Sequence, residues 1–146
     1  MKKLLATMAV AAVMAPASAF AVDVPFNGTV ADTCTLNVTQ NGVLTPAVDA
    51  LSFSTTTDGV VSVVTNTGGF GVSVTASGTT WNNYGGTGTV PSTTFTTAMD
   101  VDGQTGVTSH TLTAAGSYTA NVELSASATT PFPPGTYTKN VVFTCS

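Results

Sequence analysis

Side chains repeat with period two along most of this chain, and that spacing leaves little choice of backbone. From Val24 the even positions run Val24, Phe26, Gly28, Val30, Asp32, Cys34, Leu36, Val38, while Asn and Thr dominate the odd positions between them. An α-helix scatters such a series around its circumference, whereas a β-strand gathers it on one face. Asp32 breaks the apolar series and predicts a bend or change of strand near residues 31–33. The alternation returns in Val72, Val74 and Ala76, in Phe95, Thr97, Met99 and Val101, and from Tyr118 to Ala126. It closes the chain as Tyr137, Lys139, Val141, Phe143 and Cys145. Threonine, about a fifth of all residues, suits the solvent face of a pleated strand.

Turn chemistry punctuates these runs. Asp58-Gly59, Gly68-Gly69, Asn82-Asn83-Tyr84-Gly85-Gly86, Asp102-Gly103, Ala115-Gly116 and Pro131-Phe132-Pro133-Pro134-Gly135 are loop or hairpin signals. Between them lie about seven to nine short strands, and no stretch carries a helical period. The pattern predicts an all-β chain, an antiparallel Greek-key β-sandwich, with residues 22–146 forming one domain.

The first residues read as an export signal. Lys2 and Lys3 precede a short apolar run from Leu4 to Val13, and small residues at Ala17, Ala19 and Ala21 fit signal-peptidase sites. Cleavage after Ala21 is favoured, making 1–21 a signal peptide and the remainder an exported protein of the periplasm, cell surface or medium. The alternative, a membrane anchor, meets an apolar run shorter than the about 20 residues a spanning helix needs, so no membrane insertion is expected.

Charge then excludes whole classes of partner. Without Lys2 and Lys3, Lys139 is the lone cation against seven acidic residues, and the chain has no Arg. Nucleic-acid binding needs clustered cations to neutralise phosphates, and adhesion to anionic membranes fails for the same reason.

The two cysteines, Cys34 and Cys145, both lie on the apolar parity of their runs and are expected to point inward. In an oxidising compartment two cysteines have one intramolecular pairing, so a Cys34–Cys145 disulfide is expected. Two buried thiols or an intermolecular bridge are the alternatives.

FNGTVADTCTLNV, Phe26 to Val38, and PGTYTKNVVFTCS, Pro134 to Ser146, resemble the opening and closing strands of bacterial chaperone–usher pilin subunits and the related spore coat protein U-like domains. That resemblance implies an incomplete immunoglobulin-like sandwich, completed by a strand from a periplasmic chaperone or a neighbouring subunit, with an outer-membrane usher as a further partner. Two positions depart from the family. Its members often end on a penultimate Tyr where this chain has Cys145, and their usual disulfide joins early strands rather than first to last. After cleavage only Val22 to Pro25 precede the first run. Either Val22–Val30 is itself the donated strand, or the domain does not assemble that way.

Other residues carry weaker signals. His110 is the only histidine and has no nucleophile–base motif beside it, so no enzyme and no cofactor are expected. Asp100 and Asp102 alternate like the opening of a calcium loop, without its third ligand or closing Glu. Asp102-Gly103 between two alternating runs also signals a hairpin, the favoured reading, and no metal site is expected. Trp81 and Tyr84 lie in a glycine-rich polar stretch, where they either cap the core or stack on a sugar. Asn27-Gly28-Thr29 and Asn37-Val38-Thr39 match the glycosylation sequon, a frequent chance match in so Thr-rich a chain. The expected function is a structural subunit of a bacterial surface appendage or coat, with copies of itself or related subunits as partners. The alternative is a secreted glycan- or surface-binding module. Alkylation of the unfolded chain without reductant should add no label to its intact mass; two labels would rule the disulfide out.

Overall fold

A computed structural model describes Pro25 and residues 27–146. The signal peptide expected over residues 1–21 lies outside the described residues, as do Val24 and Phe26. The chain divides into two units, 1–30 and 31–146. In the first, Pro25 and residues 27–30 form no regular element.

The second unit is all-β. Its twelve strands are β1 (Cys34–Gln40), β2 (Val43–Pro46), β3 (Ser52–Thr57), β4 (Gly59–Thr65), β5 (Phe70–Ala76) and β6 (Asn83–Gly86), followed by β7 (Thr93–Val101), β8 (Gln104–Val107), β9 (Ser109–Leu112), β10 (Gly116–Ala128), β11 (Gly135–Thr138) and β12 (Val141–Cys145). Every pairing is antiparallel. One large sheet is built around β10, which pairs with β4 and β3 along one edge and with β7 along the other. β1 and β2 extend this sheet beyond β4 and β3, and β8 extends it beyond β7. The opposing layer contains β12-β5-β9 and the pair β11-β6. Ser77 N donating to Asn140 O and Asn82 N donating to Thr138 O carry its ladder across the break.

Twelve strands exceed the expected seven to nine because several long arms are interrupted. β1–β2 bends at Asn41-Gly42 directly beside the Asp58-Gly59 bend of β3–β4. A Cβ on Gly42 would lie 3.1 Å from the Gly59 nitrogen, so glycine permits this close approach. β5–β6 and β11–β12 are interrupted likewise, and joining the four pairs leaves eight arms. Among the described residues regular pairing begins at Cys34. Residues 31–33 are held by the Asn66 side chain, which donates to Ala31 O at 2.8 Å and accepts from Thr33 N at 2.7 Å. These residues form neither the expected bend nor a strand, and Asn66 ties the segment down.

The core follows the alternation. Val61, Val63, Ala120, Val122, Met99 and Val101 from the large sheet meet Val72, Val74 and Leu112 from the opposing layer. A second cluster of Phe53, Ala126 and Phe132 fills the far end. Between β7 and β8, Asp102 and Gly103 take φ of 52° and 75°, the left-handed geometry of a two-residue hairpin loop. The Cys34 and Cys145 sulfurs are bonded, tying the first strand of one layer to the last strand of the other. Closing so long a loop contributes about 4–5 kcal/mol in the chain-entropy account.

Met99 is fully buried between the layers. Met99→Ala should cost about 2–5 kcal/mol in urea unfolding, whereas Thr96→Ala on the exposed face of β7 should stay within about 0.5 kcal/mol.

Candidate functional site

The inward parity of β1 does not end in a closed core. Leu36 and Val38 share the face of Cys34, yet they are 37% and 65% exposed. Across from them Val141 and Phe143 of β12 are only partly covered. Between these edges runs an apolar groove of about 1250 Å³. Val61, Val122 and Leu124 form its floor, and Phe53, Phe132 and Tyr137 stand at its far end.

Both walls of the groove are sheet edges. Among the described residues β1 pairs only with β4, β2 only with β3, and β12 only with β5. Ser146 and Gly71 exchange both backbone hydrogen bonds, at 2.7 and 2.9 Å. Orientation alternates along an antiparallel ladder, so Thr144 and Val142 also face β5. Phe143 and Val141 turn their N–H and C=O outward, along the edge no described strand covers. A row of unpaired backbone groups beside apolar side chains is a template for an added strand. At the other extreme the walls converge, and the α-carbons of Cys34 and Cys145 are 6.3 Å apart.

The far end is aromatic. Trp81 packs edge-on to Phe53 at 5.2 Å, Phe95 at 5.1 Å and Tyr137 at 4.9 Å between ring centroids. Its indole nitrogen is buried and finds no hydrogen-bond partner among the described residues. Tyr84 lies 4.8 Å from Tyr137, and its hydroxyl donates to Thr87 O and Pro134 O. The two aromatics singled out in the sequence thus share one cluster, fastened to the groove through Tyr137. Burial raises the Tyr137 phenol above its ordinary value of 10.0, with the adjacent Tyr84 adding to the rise, while the Tyr137 hydroxyl donates to Pro133 O at 2.6 Å. Lys139 Nζ donates to Ser77 O, Gly78 O and Thr80 O at 2.7, 2.8 and 2.6 Å. It also lies 4.2 Å from the centroid of the Phe95 ring. Burial pushes this ammonium below its ordinary value. The lysine pins the β5–β6 loop onto the break between β11 and β12.

Asp100 and Asp102 turn to different partners. Asp100 Oδ1 accepts from Gly106 N at 2.7 Å, and Asp102 Oδ2 lies 3.3 Å from His110 Nε2. Among the described residues no three metal-ligating side chains gather. The Lys139 clamp was not legible in the sequence. An open groove was implied there only by the resemblance of the terminal runs, not by the alternation, which does not say whether an apolar face is covered. No family model, curated protein or solved structure matches this chain.

Tyr137 is protonated more firmly in the folded state, so its contribution is fully present below pH 10.0 and is lost as pH climbs through the raised value. Above pH 10.0 the wild-type protein should lose stability more steeply than Tyr137→Phe, as read by urea midpoints across a pH series. Trp81→Ala should cost about 3 kcal/mol, measured by far-ultraviolet circular dichroism, because four aromatic rings surround it.

Proposed function

We propose that this chain is a pilin-like structural subunit of a bacterial surface appendage or coat, joined to its neighbours by strands donated from copy to copy. The observation that carries this reading is the groove, an apolar cleft flanked by two sheet edges that no described strand pairs with. An added strand gains main-chain hydrogen bonds from Val141 and Phe143 and places alternate side chains against Leu36 and Val38. The resemblance of Phe26–Val38 and Pro134–Ser146 to chaperone–usher pilins supports the same assembly. In this reading a periplasmic chaperone covers the groove until a neighbour replaces it at the usher.

Val22–Val30 of a second copy is the fitting donor. Its inward set of Val22, Val24, Phe26, Gly28 and Val30 has the required period, and nine extended residues reach about 30 Å. That reach matches the span from Gly135 to Phe143, of which every residue but Val142 lines the groove. Each valine or phenylalanine moved from water into the groove contributes about 1.5–3 kcal/mol before ordering costs. Export is the premise of this reading. A disulfide is compatible with it, and no described helix is long and apolar enough to cross a membrane.

Purified from its native envelope, the full chain should give filaments in electron microscopy and a ladder on unboiled gels; a monomer alone would sink the proposal. Val38→Asp places a charge in the groove at an exposed position, so the ladder should vanish while the subunit keeps its thermal midpoint. A persistent ladder in that variant would show that assembly bypasses the groove.

A further inference from the structure

We propose that the Cys34–Cys145 disulfide is an end stop that sets the register of the inserted strand, an inference that rests on the strand-acceptor reading above. Neighbouring strands in a sheet lie about 4.8 Å apart, so one strand between two edges needs about 9.6 Å between the flanking backbones. At the disulfide the two α-carbons are 6.3 Å apart. No strand passes between the walls there. The lining runs up to Leu36 and Phe143 and does not include either cysteine, so the groove ends one pleat short of the bond. At its other extreme, past Leu44 and Thr136, no covalent link joins the walls.

A stop of this kind answers a problem that alternation leaves open. Slipping a strand by one residue turns its apolar set away from the core, but slipping it by two keeps every apolar side chain inward. Near the disulfide the groove is lined by Leu36, Val38, Val141 and Phe143, which do not tell one valine from the next, while polar lining residues such as Gln40, Asn41, Thr136 and Asn140 lie farther along both walls. The donated set offers three valines at that same spacing of two or a multiple of it. Parity therefore selects the face, and the blocked end selects among the registers that share it. The inserted strand advances from the open end until its leading residue meets the level of Phe143, and it halts there. The bond does this only by joining the outer strands of opposite layers, Cys34 in β1 and Cys145 in β12. A disulfide within one layer would leave the cleft open at both extremes.

The test uses the full chain with Phe26→benzoylphenylalanine, mixing isotope-labelled and unlabelled copies so that links between copies are recognised by mass. With the disulfide intact, photolysis should link position 26 to one site on the groove wall of the neighbouring copy. In the same chain carrying Cys34→Ala and Cys145→Ala, the links should spread by steps of two residues toward the former disulfide. A single, unchanged site in the double variant would overturn the end stop while leaving the groove reading in place. Absence of any link between copies into the groove, in either chain, would overturn both. Should the double variant fail to fold, the disulfide-intact chain decides the matter, with the photo-label moved in turn to Val22 and Val30. All three labels should then report one common alignment with no link beyond Phe143; several coexisting alignments would refute the stop.

Discussion

Two-sided pairing of β10 is the constraint on which the other strands depend. Its thirteen residues bond to β4 and β3 on one side and to β7 on the other, so its own alternation is imposed on three neighbours. Ala120, Val122, Leu124 and Ala126 set the level of both hydrophobic clusters, because they continue from one into the other along a single strand. A sheet organised from its middle has edges far from that middle, and there the cover runs out. Leu36 and Val38 keep the inward parity dictated by pairing with β4, but no described strand of the opposing layer reaches over them.

The groove is thus a consequence of layer width as much as of local sequence. The large sheet extends past β12 through β1 and β2, and the smaller layer stops at β11 and β12. The surplus width exposes apolar surface that a self-sufficient sandwich would bury. The aromatic cluster and Lys139 show the opposite strategy a short distance away. There a loop with few aliphatic residues is fastened by rings stacked edge to face and by one ammonium shared among three carbonyls.

Much of the architecture was legible in period and parity alone. The inward placement of Cys34 and Cys145 followed from counting by twos, and the Asp102-Gly103 hairpin from the backbone freedom of its residues. Interruptions were harder to see. The bends at Gly42 and Gly59 exist because two glycines far apart in sequence come together, and the anchor at residues 31–33 comes from Asn66. Lys139 falls on the apolar parity of the closing run with nothing local to pair it, and its carbonyl partners lie some sixty residues earlier. Whether an apolar edge is covered depends on the strand opposite it, which no window of sequence contains.

The confinement of Lys139 also bears on resistance to proteolysis. Proteases of the trypsin type cut after lysine or arginine, and residues 22–146 offer them this one position. Its ammonium, the handle such an enzyme must grip, is already held by three backbone carbonyls and the face of Phe95. The folded domain therefore presents almost nothing for that class of enzyme to recognise, a durability that comes from composition and from the placement of a single side chain.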